Sequence, residues 1–425
     1  MKKLIQLKLK ILSKIILAKY KPKVIGITGS VGKTTTKEAV YAVLKDKFNI
    51  RRSVKNYNNE IGLPLTVIGA DSPRKSLIGW LLVFLRASKL IFFKDKNYPK
   101  ILILEMGIDR PGDMDYLLKI ARPDIGVLTF VGSVHLEYFA SKEKLRQEKA
   151  KLIKNIKKFG YAIINYDNEG SRKSINESRA KVITYGLDAK ANLQAREIRF
   201  SFEETGKNSL RGINFKIIHD GVATPVLLPN VLGVNAIYAA LAGAATGIAL
   251  GMNIVEISQS LRNFVSPKGR MNIIRGIKNT TIIDDTYNSE PQSVMAALGI
   301  LKRIPANRKI AVLGDMLELG KYSEEGHREV GKYLFKMGVD KLILVGERSR
   351  DIGRGAAKTG MLKDNIFHFP NSDDAKMFVQ DRLKEGDLVL IKGSQGMRME
   401  KIVKEIMSEP LRAEELLVRQ GNEWL

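Results

Sequence analysis

Residues 24–36 read Val24-Ile25-Gly26-Ile27-Thr28-Gly29-Ser30-Val31-Gly32-Lys33-Thr34-Thr35-Thr36, a β-branched run, a glycine-rich turn and a Gly-Lys-Thr that opens the helical pattern of residues 37–44. Residue types in this order build a phosphate cradle. Backbone N–H groups at Gly29, Ser30 and Gly32 and the positive end of a helix meet the anion. Lys33 adds charge, and the hydroxyl of Thr34, with Thr35 beside it, can reach Mg²⁺. The full pattern carries a glycine where this chain has Ile27, so the loop is a shortened variant, T-G-x-x-G-K-T. A glycine-rich turn that binds nothing is the alternative, and the strand–turn–helix setting argues against it.

Three further groups stand where chemistry could be done. The apolar run Ile101–Leu104 ends at Glu105, which puts a carboxylate on the ligand-binding edge of an open α/β sheet, a good place for a Mg²⁺ ligand. His135, one of only four histidines, follows another strand-like run in Gly132-Ser133-Val134-His135-Leu136-Glu137. Lys149 lies a few helical turns later among many lysines and reads by itself as surface charge. The polar stretch Asn56-Tyr57-Asn58-Asn59-Glu60-Ile61-Gly62-Leu63-Pro64 marks an ordered loop.

These residues need a scaffold, and the chain alternates short β-branched runs with helical patterns from residue 24 onward. Strands are expected at 24–28, 101–105, 125–130 and 161–165, then an antiparallel insert at 193–202, 213–218 and 223–228 with an Asp220-Gly221 turn, then an alanine-rich helix at 236–250. Pro267-Lys268-Gly269 reads as a hinge, after which strands are expected at 281–284, 310–313, 341–345 and 388–391. The expected fold class is α/β: a P-loop central ATPase domain with a mainly parallel sheet plus antiparallel insert (24–267), then a Rossmann-like C-terminal domain (268–425), after a basic amphipathic segment (1–23).

The chain has 425 residues and no cysteine, which excludes disulfides, thiolate metal sites and cysteine nucleophiles and fits a reducing cytoplasm. Its net charge is +26, with lysines spread along the whole length and no aromatic-interleaved patch, so no nucleic-acid partner is expected. Residues 1–23 hold eight lysines and no acid among leucines and isoleucines. They suit a helix lying on a membrane surface or one packed on the first domain with its lysines in water. The apolar stretch 77–93 is broken by Arg86 and Lys89, which makes it a poor spanning helix; burial is the default reading, and contact with a membrane interface beside the N-terminal segment is the other.

The ordered series T-G-S-V-G-K-T-T-T, N-Y-N-N-E-I-G-L-P-L, L-E-M-G-x-x-R-P-G-D and H-L-E-x-F-x-S, then Lys149, resembles the Mur ligase family. So do G-R-M at 269–271, D-D-x-Y-N-x-x-P at 284–291, G-D-M-L-E-L-G at 314–320 and G-S-x-G-M-R-M-E at 393–400, the last resembling the branch that adds D-alanyl-D-alanine to a muramyl tripeptide. The resemblance runs from about residue 24 to about 407. It implies an ATP-dependent amide ligase of cell-wall precursor synthesis, in which ATP activates a carboxylate as an acyl phosphate and an amine attacks it. It further implies Lys33 on the terminal phosphates, Thr34 and Glu105 on one Mg²⁺, His135 on a second, and Lys149 carbamylated by CO₂ into a metal ligand. Arg270 would meet the nucleotide phosphates and Asp285 the ribose. Asn58, Asn59, Asn288, Asp315, Ser394 and Arg398 are carried as contacts to the anionic precursor and D-Ala-D-Ala. For Asp315, Glu318 and His327 helix capping is the other reading, and for Ser394 and Arg398 a solvated turn. A monomer is expected, in the cytoplasm or at the inner face of the membrane.

Two departures qualify the resemblance. Only 23 residues precede the first strand, too few for the UDP-binding domain that such ligases carry there, which brings a lipid-linked or other acyl substrate into view. The family's adenine-side motif G-x-H-N-x-x-N stands here as Gly233-Val234-Asn235-Ala236-Ile237-Tyr238-Ala239, so Asn235 or backbone groups must hold the base. The rival from another class is a ParA/MinD-like switch on membrane or DNA. That family places a signature lysine where this chain has Thr28, and it leaves Lys149 and the later motifs unexplained.

Overall fold

The computed structural model describes residues 2–53, 57–132, 139, 141–203, 210–421 and 424. They form two compact units, one of Met1–Ile198, Asn214–Leu227 and Val234–Val265, the other of Arg199–Ile213, Leu228–Gly233 and Ser266–Leu425.

The elements up to residue 265 run α1 (Lys2–Tyr20), β1 (Lys23–Thr28), α2 (Lys33–Leu44), β2 (Ile50–Arg52), α3 (Gly62–Ile68), α4 (Leu77–Phe92), β3 (Ile101–Glu105), α5 (Asp113–Ile120), β4 (Ile125–Leu128), α6 (Lys142–Lys154), β5 (Tyr161–Asn165), α7 (Glu169–Arg172), β6 (Lys181–Gly186), β7 (Leu193–Phe202), β8 (Leu210–His219), β9 (Val222–Pro229), α8 (Val234–Ala249) and α9 (Ile254–Leu261). The strands order as β2-β3-β1-β4-β5-β6-β7-β8-β9. Pairing is parallel from β2 through to β7. β1 is buried except for Lys23, and β3 and β4 are buried throughout, which is why they read as unbroken apolar runs. Asp220 and Gly221 both take positive φ, 47° and 78°, the backbone of a two-residue hairpin turn, and so join β8 to β9.

The second unit continues with β10 (Asn272–Arg275), β11 (Thr281–Asp285), α10 (Pro291–Arg303), β12 (Lys309–Gly314), α11 (Ser323–Phe335), β13 (Lys341–Val345), α12 (Arg350–Lys358), β14 (Ile366–Phe369), α13 (Ser372–Arg382), β15 (Leu388–Lys392), α14 (Glu400–Ile406) and α15 (Ala413–Leu416). Its sheet orders as β10-β11-β15-β12-β13-β14, parallel except for the β10–β11 pair. The α/β class with a mainly parallel first sheet, an antiparallel hairpin and a second open sheet is therefore as expected. The strands that sequence reading passed over, β2, β6, β10 and β14, are short or carry lysine or arginine, and three of the four lie toward a sheet margin.

One default reading is corrected. α4 does not bury itself: Val83, Ala87 and Leu90 face the core, while Leu77, Ile78, Leu81, Leu82, Leu85 and Phe92 are exposed. α1 packs on α3 and α4 and buries Leu9, Ser13 and Ile16. Among the described residues no helix is long and apolar enough to cross a membrane.

The helix that follows the phosphate loop is held by a close seam. A Cβ on Gly243 of α8 would lie 3.1 Å from the backbone carbon and oxygen of Ala39 on α2, and one on Gly247 would lie 2.9 Å from Val43 Cγ1. Small residues thus bring α2 and α8 almost to backbone contact, and a close-packed interior leaves little room for an added side chain there. Gly243→Val is expected to cost about 1–3 kcal/mol by overpacking. A urea titration checks this: the midpoint should fall with the slope unchanged, and an unmoved midpoint would show that the seam can open without strain.

Candidate active site

β1 delivers the chain into the glycine-rich loop, and the segment after β4 fixes that loop from the side. Ser30 N–H donates to Phe130 O at 2.6 Å, Gly132 N–H to Ser30 Oγ at 3.0 Å, and Thr129 Oγ1 to Val31 O at 2.7 Å. A Cβ on Gly29 would fall 1.9 Å from Thr129 Oγ1, and Gly32, at φ 85°, takes the left-handed conformation that starts α2. Both glycines are demanded by geometry.

The loop is a meeting point of amines and carboxylate. Lys33 Nζ donates to Gly29 O at 2.9 Å and Ser30 O at 3.3 Å, and Lys149 Nζ, from α6, donates to the same Gly29 O at 3.2 Å. Lys149 is 2% exposed. Burial, and then the nearby Lys33 charge, push its amine down to about 7, against weaker opposing pulls from Asp109 and Glu148. α6 is held by its Ser141 cap, by Glu148 Oε1 accepting from Gly112 and Met114 N–H at 3.0 and 3.1 Å, and by Arg146 between Glu143 and Glu177.

On the other side of the loop, Thr34 Oγ1 donates to both Glu105 oxygens, at 3.3 and 3.1 Å, and Asn58 Nδ2 to Glu105 Oε1 at 3.2 Å. Gly107 N–H donates to Asn58 O at 2.8 Å, which docks the Asn58 loop on the end of β3. Asn59 is used differently: its Oδ1 accepts from the N–H groups of Ile61 and Gly62, at 3.2 and 3.0 Å, and so serves the start of α3. Thr35 is buried in α2.

Sequence reading missed Lys37. It is fully buried, with Nζ 3.9 Å from Glu105 Oε2 and 3.6 Å from Glu38 Oε1, and burial lowers its pKa against the pull of Glu105. The signal was present, since Lys33 and Lys37 lie one helical turn apart on α2. His135 lies outside the described residues.

The oxygen set of Thr34 and Glu105 suits a hard cation. Among the described residues no three His, Cys, Asp or Glu side chains gather into a cage. Mg²⁺ is ordinarily bound through one or two carboxylates with waters and substrate phosphates completing the shell, a demand that one carboxylate and one hydroxyl can meet.

At the start of α8, Asn235 is exposed while Ala236 and Ala239 are buried in the helix interface. Beside them Tyr238 Oη donates to Asp167 Oδ2 at 2.8 Å, and Asp167 also accepts from Leu187 and Asp188 N–H. This pair too was missed.

In the second unit the ends of three adjacent parallel strands, β11, β15 and β12, carry the named residues. Asp285 pairs with Lys392 Nζ at 2.7 Å, and Lys392 also donates to Asn288 O at 2.8 Å. Lys392 is buried and ends an apolar strand, the same signal that marked Glu105, yet sequence reading passed it over. Arg270 lies 4.1 Å over the Tyr287 ring, and its Nε is buried with no partner among the described residues. Asp315 accepts from Ser349 N–H at 2.7 Å, and Ser394 Oγ accepts from Leu317 N–H at 2.9 Å. His327 is buried and its pKa lowered by that burial; Nε2 accepts from Met316 N–H and Nδ1 faces Ser323 O. It therefore ties α11 to the loop after β12. Glu318 lies in the short 3₁₀ segment of that loop. Arg398 Nε donates to the buried Glu400 at 2.6 Å, and Nη1 to Trp424 O at 2.9 Å.

Comparison with known proteins bears on both units. Residues 27–75 and 85–246 match the Mur ligase middle domain, and residues 269–395 match the Mur ligase glutamate ligase domain. The match in the second unit is what the reading as a ParA/MinD-like switch leaves unexplained. The chain is 30% identical, over 94% of its length and 79% of the relative's, to UDP-N-acetylmuramoyl-tripeptide–D-alanyl-D-alanine ligase of Bacillus subtilis. A crystal structure of MurF ligase from Thermotoga maritima in complex with ADP aligns at a TM-score of 0.75 and 27% identity, covering 96% of this chain and 84% of that one. MurF from Acinetobacter baumannii shares the fold at a TM-score of 0.77, with 24% identity over 94% of this chain and 79% of that one. With matches of this extent to both domains, and a relative of that identity along 94% of this chain, the chain belongs to the Mur ligase family.

Proposed function

We propose that the chain is an ATP-dependent ligase that joins D-alanyl-D-alanine to a UDP-linked muramyl tripeptide, acting as a cytoplasmic monomer. The observation that carries it is the convergence of Lys33, Lys149, Thr34 and Glu105 on one phosphate loop, in a chain alignable with such a ligase along 94% of its length. The acyl substrate we adopt is the one for which the Bacillus subtilis relative is named, in preference to a lipid-linked one.

The chemistry sets an electrostatic task. An acyl carboxylate must approach the terminal phosphate of ATP, and both are anions. Lys33 and the loop N–H groups hold the phosphates, and they are in place before the anions arrive. Mg²⁺ at Thr34 and Glu105 supplies charge neutralisation at the phosphates. The carboxylate takes the terminal phosphoryl group and ADP is released; the incoming amine then attacks the acyl carbon, forming the amide as phosphate leaves and the amine gives up its proton. In the second unit we assign Arg270 and Asp285 to the nucleotide, and Asn288, Asp315, Ser394 and Arg398 to the substrates.

Lys149 fits the further role of a carbamate-bearing metal ligand. An amine reacts with CO₂ only when neutral, giving R–NH–COO⁻ and a proton. A lysine held near 7 is largely neutral at the pH where an ordinary lysine is almost wholly protonated. The addition replaces a buried cation beside Lys33 with an anion, which relieves the repulsion there.

Three outcomes follow. With ATP, Mg²⁺, bicarbonate, D-Ala-D-Ala and UDP-muramyl tripeptide, mass spectrometry should find the amide product; a folded, ATP-binding protein that yields none would sink the substrate assignment. Lys33→Ala should weaken ATP binding roughly ten- to a hundredfold, the loss for a charge-assisted hydrogen bond, read by calorimetry. With ¹³C-labelled bicarbonate at fixed CO₂, a carbamate carbonyl signal should grow as pH rises through about 7 and be missing in Lys149→Arg. A wild-type spectrum without that signal would remove the carbamate.

A further inference from the structure

We propose that the paired helices α1 and α4 form a docking face for an anionic lipid bilayer. Both bury one side in the same core cluster, through Leu9 and Ile16 on α1 and Val83, Ala87 and Leu90 on α4. Their opposite sides therefore point away from the protein. On α1 that side carries Leu4, Leu7, Ile11 and Ile15, each 43–56% exposed and spaced at helical intervals. On α4 it carries Ile78, Leu81, Leu82, Leu85 and Phe92, each 56–78% exposed, with Phe93 just beyond. Large apolar side chains exposed in this number on two helices that pack together mark an interaction site.

The charges choose the occupant. Neither helix contains an acidic residue, and the exposed apolar rows are interleaved with the exposed lysines Lys3, Lys8, Lys14 and Lys89, with Lys75 and Lys94 flanking α4. Two copies meeting through this face would bring those ammonium groups against each other. A bilayer with anionic headgroups offers the opposite charge at the rim and hydrocarbon beneath, the pairing that basic amphipathic helices use.

The two helices are also locked into one plate. Lys19 Nζ donates to the carbonyls of Leu90, Ile91 and Phe93 at 3.1, 2.8 and 3.0 Å, and Tyr20 Oη to Leu90 and Phe93. A cation thus caps the C-terminus of α4 from α1. The match to the Mur ligase middle domain starts at residue 27 and is interrupted at 76–84, so α1 and the N-terminal half of α4 lie outside it.

The test uses the full chain and vesicles alone, with no nucleotide or peptide, so its outcome is independent of the ligase assignment. The protein should float with vesicles of phosphatidylcholine and phosphatidylglycerol, and much less with phosphatidylcholine alone. Leu81→Glu with Leu85→Glu should abolish flotation. Lys3→Glu and Lys14→Glu should each weaken it at least about fivefold, the cost of one basic residue at an anionic surface, and added salt should do the same. None of these residues lies in the core, so the melting temperature should hold and amide formation in solution should persist. Absence of flotation, or equal flotation with neutral vesicles, overturns the proposal. Self-association by light scattering that the Leu81/Leu85 variant abolishes would also overturn it, assigning the face to a second copy.

Discussion

Two lysine side chains meet at one backbone oxygen. Lys33 and Lys149 both donate to Gly29 O, one from the helix that the phosphate loop begins and one from α6 across the sheet. In water such a pair would separate, but here both stems are fixed by packing. The repulsion is met by holding the more buried amine, Lys149, down toward neutrality. Much of the first unit serves this arrangement. The glycines of β1 and α8 bring α6 and α2 close, the segment after β4 pins the loop, and Glu148 and Arg146 hold α6 in place.

What could be read from the sequence divides along a physical line. Features set by local chain chemistry were legible: the buried runs β1, β3 and β5, the Asp220-Gly221 turn, and a carboxylate ending a strand at Glu105. Features set by which neighbour a side chain finds were not. Asn59 and Asn58 are adjacent and chemically identical, yet one caps α3 and the other reaches Glu105. Lys149 looks like its neighbours Lys144 and Lys151 until α6 is placed against the loop. Lys37 and Lys392 were passed over because lysine reads as solvated charge, and only burial against Glu105 and Asp285 distinguishes them.

The same limit applied at the surface. Periodicity in α4 shows an apolar stripe, and the ordinary inference is that the stripe faces inward. Here the helix is apolar on nearly all sides, so pattern could not say which side the core would take. The answer depends on α1, which supplies the caps for the C-terminus of α4 and fills one flank.

Lys37 has a consequence for the charge of the site. Its ammonium sits 3.9 Å from the carboxylate that is suited to a divalent ion, and no solvent can screen it. A resident counterion of this kind keeps the bare site near electroneutrality, so the carboxylate does not stand as an open, high-affinity trap for cations. In the reaction proposed, a divalent ion would then draw much of its hold from the nucleotide phosphates that complete its shell.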